Sequence, residues 1–410
     1  MEFTGPATEP VRTHRHIEGA SVGATAPAVV HAALTARVEA PVLFLDPACA
    51  AARTRALADA LGMPLYYAVK ANPHPEIVAA LAQTGARMDI ASVGEMAICA
   101  ELGVPGAAMS YGNTIKRAAD IRMAFEGGVR RFAADCVEEV RKIAAHAPGG
   151  EIIVRLAAAD TGAGYCLGRK FGCTPDAVIA CLEEAARHGL DPAGVCFHIG
   201  SQADDPGSWR AALRGAAWCL REARARGLPV RVLDIGGGFP VSYGADALRE
   251  AAGDTTALTA HARAVRALVD AEMAGLEGLE MMAEPGRALV APAGAIAGEV
   301  VLHAMRAATP DSSERWLYLD LGRFSGLAET EGEFVRYPVI TAKDDAPRAP
   351  MKVAGPTCDS ADVLYARTPR KLPVSLRAGD RVVLATAGAY TLSYASVGFN
   401  GFAPLSARVI

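Results

Sequence analysis

Between residues 41 and 289 short apolar runs alternate with longer helical stretches, and this alternation constrains the fold more than any other feature of the chain. PVLFLD at 41–46 reads as a strand, and PACAAARTRALADAL after it reads as a helix. The strand signal returns at PLYYAV, ARMDIAS, AAMSYG, RRFAAD, EIIVRLA, GVCFHIG, VRVLDIGGG and LEMMAEPG. Strands close near Gly, Asp, Asn or Ser, and helices near Gly or Pro, as chain punctuation requires. Alternation of this kind means parallel strands joined by crossover helices. From the Tyr66 strand to the Met281 strand there are eight candidates. The expected fold class is therefore α/β, with a closed (β/α)8 barrel favoured over an open doubly wound sheet. In such a barrel, chemistry sits at the strand ends.

After about Ala291 the texture changes. WLYLDLG, PVITAK, MKVAGPTCD, DRVVLAT and SARVI are short runs separated by Pro and Gly. They predict a C-terminal antiparallel β domain, a sandwich or small barrel. PAVVHAALTARV, before Pro41, predicts a short helix and strand joining that domain, because chain ends often lie close together. The expected division is a tail at 1–22, a joining segment at 23–40, the barrel at 41–290 and the β domain at 291–410. With 51% apolar and 21% charged residues, the chain has globular rather than disordered chemistry. A net charge of −4 argues against nucleic-acid binding and against a polybasic membrane anchor. No membrane span and no secretion signal are read, so a cytoplasmic location is expected. Nine scattered cysteines without a Cys-x-x-Cys pair argue against a disulfide framework or a zinc ribbon. No metal centre is expected.

Five strand-end motifs can carry chemistry. Lys70 follows the apolar run Tyr66–Val69. It is either a surface lysine or a barrel-mouth amine whose pKa burial depresses and which can form a Schiff base. Gly236-Gly237-Gly238, after Asp234-Ile235, lets backbone N–H groups converge on an anion. Glu284 and Arg287, in Glu284-Pro285-Gly286-Arg287, are either a salt bridge or a grip on two parts of one ligand. His198, in His198-Ile199-Gly200-Ser201-Gln202, ends another strand. In the β domain, Cys358 is the one cysteine flanked by turn residues and an acid. An amine, a phosphate cradle, an acid and a ring-facing group on one barrel form the set that pyridoxal 5'-phosphate needs.

The stretches YYAVKANP, MDIAS, SYGNTIK, RKFGC, FHIGSQ, DIGGGFP, AEPGR, LDLGRFSGLAET, GPTCDSADVLY and FNGF occur in one order. On these residues the chain, from about residue 40 to its end, resembles the fold-type III pyridoxal-phosphate decarboxylases of the ornithine, lysine, diaminopimelate and arginine group. Bacterial ornithine and lysine decarboxylases are the most similar members. The resemblance implies an alanine-racemase-like fold, with a cofactor-binding TIM-like barrel followed by the β domain. It implies that Lys70 bonds the cofactor aldehyde. Ser201, Gly236, Gly237, Gly238, Gly286, Arg287 and Tyr390 bind the phosphate, His198 stacks on the ring, and Glu284 pairs with the ring nitrogen. Asp89 and Arg155 support Lys70 from the inner wall. Cys358 returns a proton to Cα, and Cys358 and Asp359 reach the site of a partner subunit, so a homodimer with shared sites is expected.

The implied reaction is decarboxylation of a basic L-amino acid, ornithine or lysine first, to a diamine of polyamine metabolism. Bacterial relatives carry an Asp-Glu pair after the Ala-Glu-Thr motif. This chain has Glu329-Thr330-Glu331-Gly332-Glu333, with Gly332 at the aspartate. Glu331 or Glu333, beside Asp359, is expected to supply the acid for the distal ammonium. The alternative is a modified or carrier-bound amino acid. The small residues in Asp160-Thr161-Gly162-Ala163-Gly164-Tyr165 fit a larger substrate. Diaminopimelate is disfavoured by Asp359, since that group has Cys-Glu-Ser there. A racemase would lack the Cys358 motif and Glu284, and a non-catalytic regulator of the same fold is at odds with intact Lys70, Glu284, Arg287 and Cys358.

Overall fold

The computed structural model describes residues 26–38, 41–158, 170–309, 312–343 and 346–410. The expected tail at 1–22 and the loop at 160–165 lie outside them. Eight strands form one parallel sheet in sequence order. They are β2 (Tyr66–Ala68), β3 (Arg87–Ile90), β4 (Met109–Tyr111), β5 (Arg131–Ala134), β6 (Glu151–Leu156), β7 (Asp191–Phe197), β8 (Val232–Asp234) and β9 (Glu280–Met282). A parallel bridge between Leu65 and Ala283 brings the last strand back to the first, with Tyr66 N–H donating to the Ala283 carbonyl at 2.8 Å. Helices cover the outside, and the first shows how the sequence punctuates them. Asp46 caps helix α2 (Pro47–Leu61) by accepting from Cys49 N–H at 2.9 Å, and Pro47 fills the first turn, where a missing N–H costs nothing.

The second sheet holds β1 (Val42–Leu45), β10 (Gly294–Thr309), β11 (Ser312–Leu319), β12 (Val339–Thr341), β13 (Arg348–Ala354), β14 (Arg370–Pro373), β15 (Arg381–Ala385) and β16 (Ser406–Val409). Two expectations change here. Strand β1, which a division at residue 41 assigns to the barrel, is hydrogen-bonded to β10 and β16 instead. The sheet is also mixed rather than antiparallel throughout, because the β1/β16 and β11/β13 ladders are parallel. Helix α1 (Ala28–Thr35) buries Val29, Val30 and Ala33 against Val42, Phe44 and Ala295 of this sheet. No helix among the described residues is long and apolar enough to cross a membrane.

The two sheets are stitched together at the turn that follows β2. Asn72, fully buried, donates its amide to the Gly388 carbonyl at 2.7 Å, and Tyr390 N–H donates to the Ala71 carbonyl at 2.8 Å. Lys70 sits in this turn, so β15 and its following loop fix the backbone of the barrel lysine.

Arg53 on α2 is the largest buried charge in the molecule's outer layer, with no exposed surface. Its Nε donates to the Ala288 carbonyl at 2.7 Å, and its Nη2 lies 3.1 Å from the Glu250 carboxylate on the short helix Ala247–Ala251. Removing one partner of such a pair strands the other charge in the interior. Arg53→Ala is therefore expected to lower unfolding stability by about 3–5 kcal/mol, read by urea denaturation. A loss under about 1 kcal/mol would show that the pair is solvated or replaceable.

Candidate active site

The carboxyl ends of the barrel strands carry the expected residues to one rim. Lys70 lies in the turn Val69–Ala71 just after β2, and Asp89 is the third residue of β3. The Lys70 side chain is 53% exposed, toward the open barrel mouth, and its Nζ is 3.8 Å from Asp89, which is only 4% exposed. The expected depression of the Lys70 pKa is not what this geometry produces. Burial opposes the charge, but Asp89, with Tyr390 and Glu284, outweighs it and raises the ammonium above its ordinary value. Asp89 Oδ1 has no hydrogen-bond partner and no access to water.

His198, next after β7, is neutral. Burial, with Arg155 and Lys70 nearby, lowers it to about 3. Its Nδ1 accepts from Gly237 N–H at 3.2 Å, which leaves the proton on Nε2. Arg155 on β6 acts on Lys70, Asp89, Glu284 and His198 alike, so it faces the same interior. Glu284 lies two residues past β9, where burial and Asp234 hold its carboxyl well above the usual range.

The glycine turn differs from the expected cradle of three free amides. Gly236 N–H donates to Asp234 Oδ1 at 2.8 Å, and Gly237 N–H goes to His198. What the glycines provide is closeness. A Cβ on Gly237 would come within 2.5 Å of the Glu284 carbonyl oxygen. Two of the three glycine amides are committed within the protein. Arg287, 4% exposed, donates from Nε to Ser201 Oγ at 3.1 Å and lies 4.9 Å over the Tyr390 ring. A Cβ on Gly286 would come within 3.4 Å of the Tyr390 hydroxyl. Tyr390 has a φ of 53°, a strained value for a side chain of that size and one held by the Ala71 contact.

The sequence reading assigned no role to three residues found here. Glu329 makes a two-pronged salt bridge to Arg287, with Nη1 to Oε2 at 2.7 Å, so the partner of Arg287 is Glu329 and not Glu284. Tyr243 accepts from Arg287 Nη1 at 3.0 Å. Asp234, fully buried, touches Glu284. The other expected residues are not brought to this rim. Cys358 and Asp359 are exposed on the second sheet's loops, where Cys358 N–H donates to Asn400 and Asp359 accepts from Ala361 N–H. Among the described residues no hydrogen bond or ion pair joins either one to Lys70, His198 or Glu284. Glu331 is exposed. Glu333 is committed elsewhere, pairing with Arg336 and accepting from Thr368 Oγ1 and from the N–H groups of Arg367 and Thr368.

Residues 50–291 match the family described as pyridoxal-dependent decarboxylase, pyridoxal binding domain. A lysine/ornithine decarboxylase of Selenomonas ruminantium is 34% identical over 338 residues, covering 82% of this chain and 81% of that one. The ornithine decarboxylase of Mus musculus is 30% identical over 349 residues, covering 82% and 73%. The crystal structure of a lysine/ornithine decarboxylase complexed with cadaverine from Vibrio vulnificus superposes with a TM-score of 0.79 at 33% identity, covering 91% and 95%. Barrel, second sheet and rim thus define a pyridoxal-phosphate enzyme of the alanine-racemase-like fold. This chain belongs to the pyridoxal-dependent decarboxylase family.

The rim residues fit that cofactor. Asp89 Oδ1 is a buried acceptor without a protein donor, and the Gly237 turn leaves no room for a side chain. Gly237→Ala is expected to weaken pyridoxal phosphate binding roughly tenfold or more, the worth of one good polar contact, with the far-ultraviolet circular dichroism unchanged. Native affinity in that variant, read by cofactor fluorescence titration, would mean that the turn does not border the ligand.

Proposed function

We propose that the chain decarboxylates a basic L-amino acid, lysine or ornithine first, releasing carbon dioxide and the diamine. The observation that carries this reading is the Lys70–Asp89 pair facing Glu284 on one barrel rim, in a family whose similar members are named as lysine/ornithine decarboxylases. When bound, pyridoxal phosphate supplies an aldehyde for the substrate amine and a ring that takes up the electrons left by carbon dioxide. In this reading Lys70 would hold the cofactor through its aldehyde, while Asp89 would take up and return the Lys70 proton. Glu284 would pair with the ring nitrogen, and neutral His198 would pack against the ring without adding a competing charge. Ser201, Arg287, Tyr390, Gly286 and the Gly236–Gly238 turn hold the phosphate, with Glu329 orienting Arg287.

The proposal includes a two-fold dimer in which Cys358 and Asp359 of the partner subunit complete each site. That no hydrogen bond or ion pair among the described residues joins either one to Lys70 within one chain supports this. So does the apolar surface around them, where Val397 is 86% exposed and Phe402 44%. Cys358 then returns the proton to Cα, and Asp359 meets the distal ammonium, with Glu331 as its available helper. A second reading, in which the substrate is a modified or carrier-bound amino acid, is favoured by one observation. Glu333 is tied to Arg336, and at Gly332 an added Cβ would meet nothing within 4 Å, so the distal end of the loop is open.

Carbon dioxide release across lysine, ornithine, arginine, diaminopimelate and diaminobutyrate tests the substrate, with Lys70→Ala as the blank. Turnover of lysine or ornithine well above the rest supports the first reading. No turnover of any free amino acid, by holoenzyme that does show a borohydride-trappable Lys70 adduct, selects the second. The dimer has its own test. Lys70→Ala and Cys358→Ala homodimers each have two broken sites, whereas a mixed dimer has one intact site. Random exchange makes about half the dimers mixed, so mixing should restore about a quarter of native activity. Recovery no greater than the sum of the parents, with exchange confirmed by a tagged subunit, would place the whole site within one chain.

A further inference from the structure

We propose that Asp234 and Glu284 hold one proton between them, and that Asp234 is a positioning residue that takes this proton from Glu284 when a protonated ring nitrogen arrives. Asp234 is the last residue of β8, and Glu284 lies just past β9. The ladder between these strands continues beyond both, through Ile235 N–H to the Met282 carbonyl at 2.9 Å and Glu284 N–H to the Gly236 carbonyl at 2.8 Å. That continuation brings the two side chains into hydrogen-bond contact. Asp234 has no exposed surface. Its Oδ1 accepts from Gly236 N–H, while its Oδ2 is buried and accepts from no N–H or O–H group among the described residues. Ionised carboxylates only accept, so two of them in contact must share a proton.

The surroundings agree. The charges acting on the pair are Asp89, Lys70, Arg155 and Arg131, with neutral His198 beside the turn and the buried Cys196 thiol on β7. Three buried acids, Asp89, Asp234 and Glu284, face the two cations Lys70 and Arg155, while Arg131 is spent on Glu151 and Glu280. One shared proton balances that inner set. Burial raises Asp234 to about 6 against the opposing Glu284 contact and Gly236 N–H. In the cofactor-free protein the proton rests on Glu284, whose hydroxyl donates to Asp234 Oδ2. A ring N–H⁺ against the outer oxygen of Glu284 reverses the polarity. The Glu284 O–H bond breaks and an Asp234 O–H bond forms, no proton leaves the protein, and Glu284 becomes the anion its place requires. The mechanism otherwise gives Asp234 no task.

The inference rests on Glu284 facing the ring nitrogen, and the test separates the two ideas. Infrared difference spectra of the apoenzyme at neutral pH should show a buried protonated carboxyl that disappears in Asp234→Asn and in Glu284→Gln. A band that persists in either variant places the proton elsewhere and overturns the shared pair. Saturation of the native protein with pyridoxal phosphate should shift this band and keep it. Its loss would mean that the proton leaves the pair, which overturns the relay while leaving the pair intact. An unshifted band would mean that Glu284 does not face the ring. Apoenzyme stability gives a third readout. The folded pair keeps on Glu284 a proton that the unfolded chain releases in the ordinary carboxylate range, so native stability should fall as pH rises above that range toward the raised value of Glu284. Asp234→Asn should flatten that slope, and an unchanged slope would refute the pair. Glu284→Gln carries the same comparison should the Asp234 variant fail to fold.

Discussion

Everything at the site depends on closure of a parallel sheet between Leu65 and Ala283. Parallel strands point their carboxyl ends the same way, and closing the sheet turns that edge into a rim. Lys70, Asp89, His198, Asp234 and Glu284 come from five different strands or from the one or two residues after them. Only a closed sheet brings the β2 end beside the β9 end, and so lets Lys70 feel Glu284. The second sheet then removes the remaining freedom. Asn72 and Tyr390 tie the turn around Lys70 to the segment after β15, so the reactive amine is held from both sides.

The rim is dense in acid, and this density sets how its groups ionise. Desolvation by itself pushes a lysine in such a place below its ordinary value, because it disfavours charge. Asp89 at 3.8 Å reverses that outcome. A protonated amine is no nucleophile, so in the proposed reading Lys70 gives up a proton before it can react, and the Asp89 carboxylate 3.8 Å away is the base beside it. His198 follows the opposite rule. It has two cations nearby and no acid among the causes of its shift, so it stays neutral at any physiological pH. The same stretch of backbone sets its tautomer through Gly237 N–H. One turn, Gly236–Gly238, thereby orients the histidine, supports Asp234 and closes the strand ends, and this leaves fewer amides for an anion than the bare sequence suggests.

The barrel was legible because its strands are short apolar runs with sharp punctuation, and all eight appear where that pattern puts them. The rim motifs were legible for the same reason: a charged or glycine-rich stretch directly after an apolar run has only the strand end to occupy. The second sheet was harder. β10 runs for 16 residues through GAIAGEVVLHAMRAAT, whose alanines and glycines carry little strand propensity, and it passed unread. β1 looks like any barrel strand, since all four of its residues are buried, and only its long-range pairing assigns it to the other sheet. Glu329 and Asp234 lie inside the LDLGRFSGLAET and DIGGGFP stretches, but nothing local gave either a task. Their importance lies in what faces them across the fold, Arg287 in one case and Glu284 in the other.

Specificity for a distal ammonium requires an acid with free lone pairs at the far end of the site. Glu333 does not meet that requirement. Its carboxylate is spent on Arg336, Thr368 and two backbone N–H groups, interactions that lower its pKa against the pull of burial and hold the 365–368 loop in place. Freeing it would leave the Arg336 cation and those donors unmatched, a cost comparable to the stabilisation that a substrate ammonium would bring in their place. Gly332, at a φ of 62°, could take an acidic side chain only with backbone strain, although nothing crowds it. The local conformation therefore disfavours restoring an aspartate there. Of the three acids expected to read the far end of a substrate, Glu333 is thus committed, and Glu331 and Asp359 are the exposed ones.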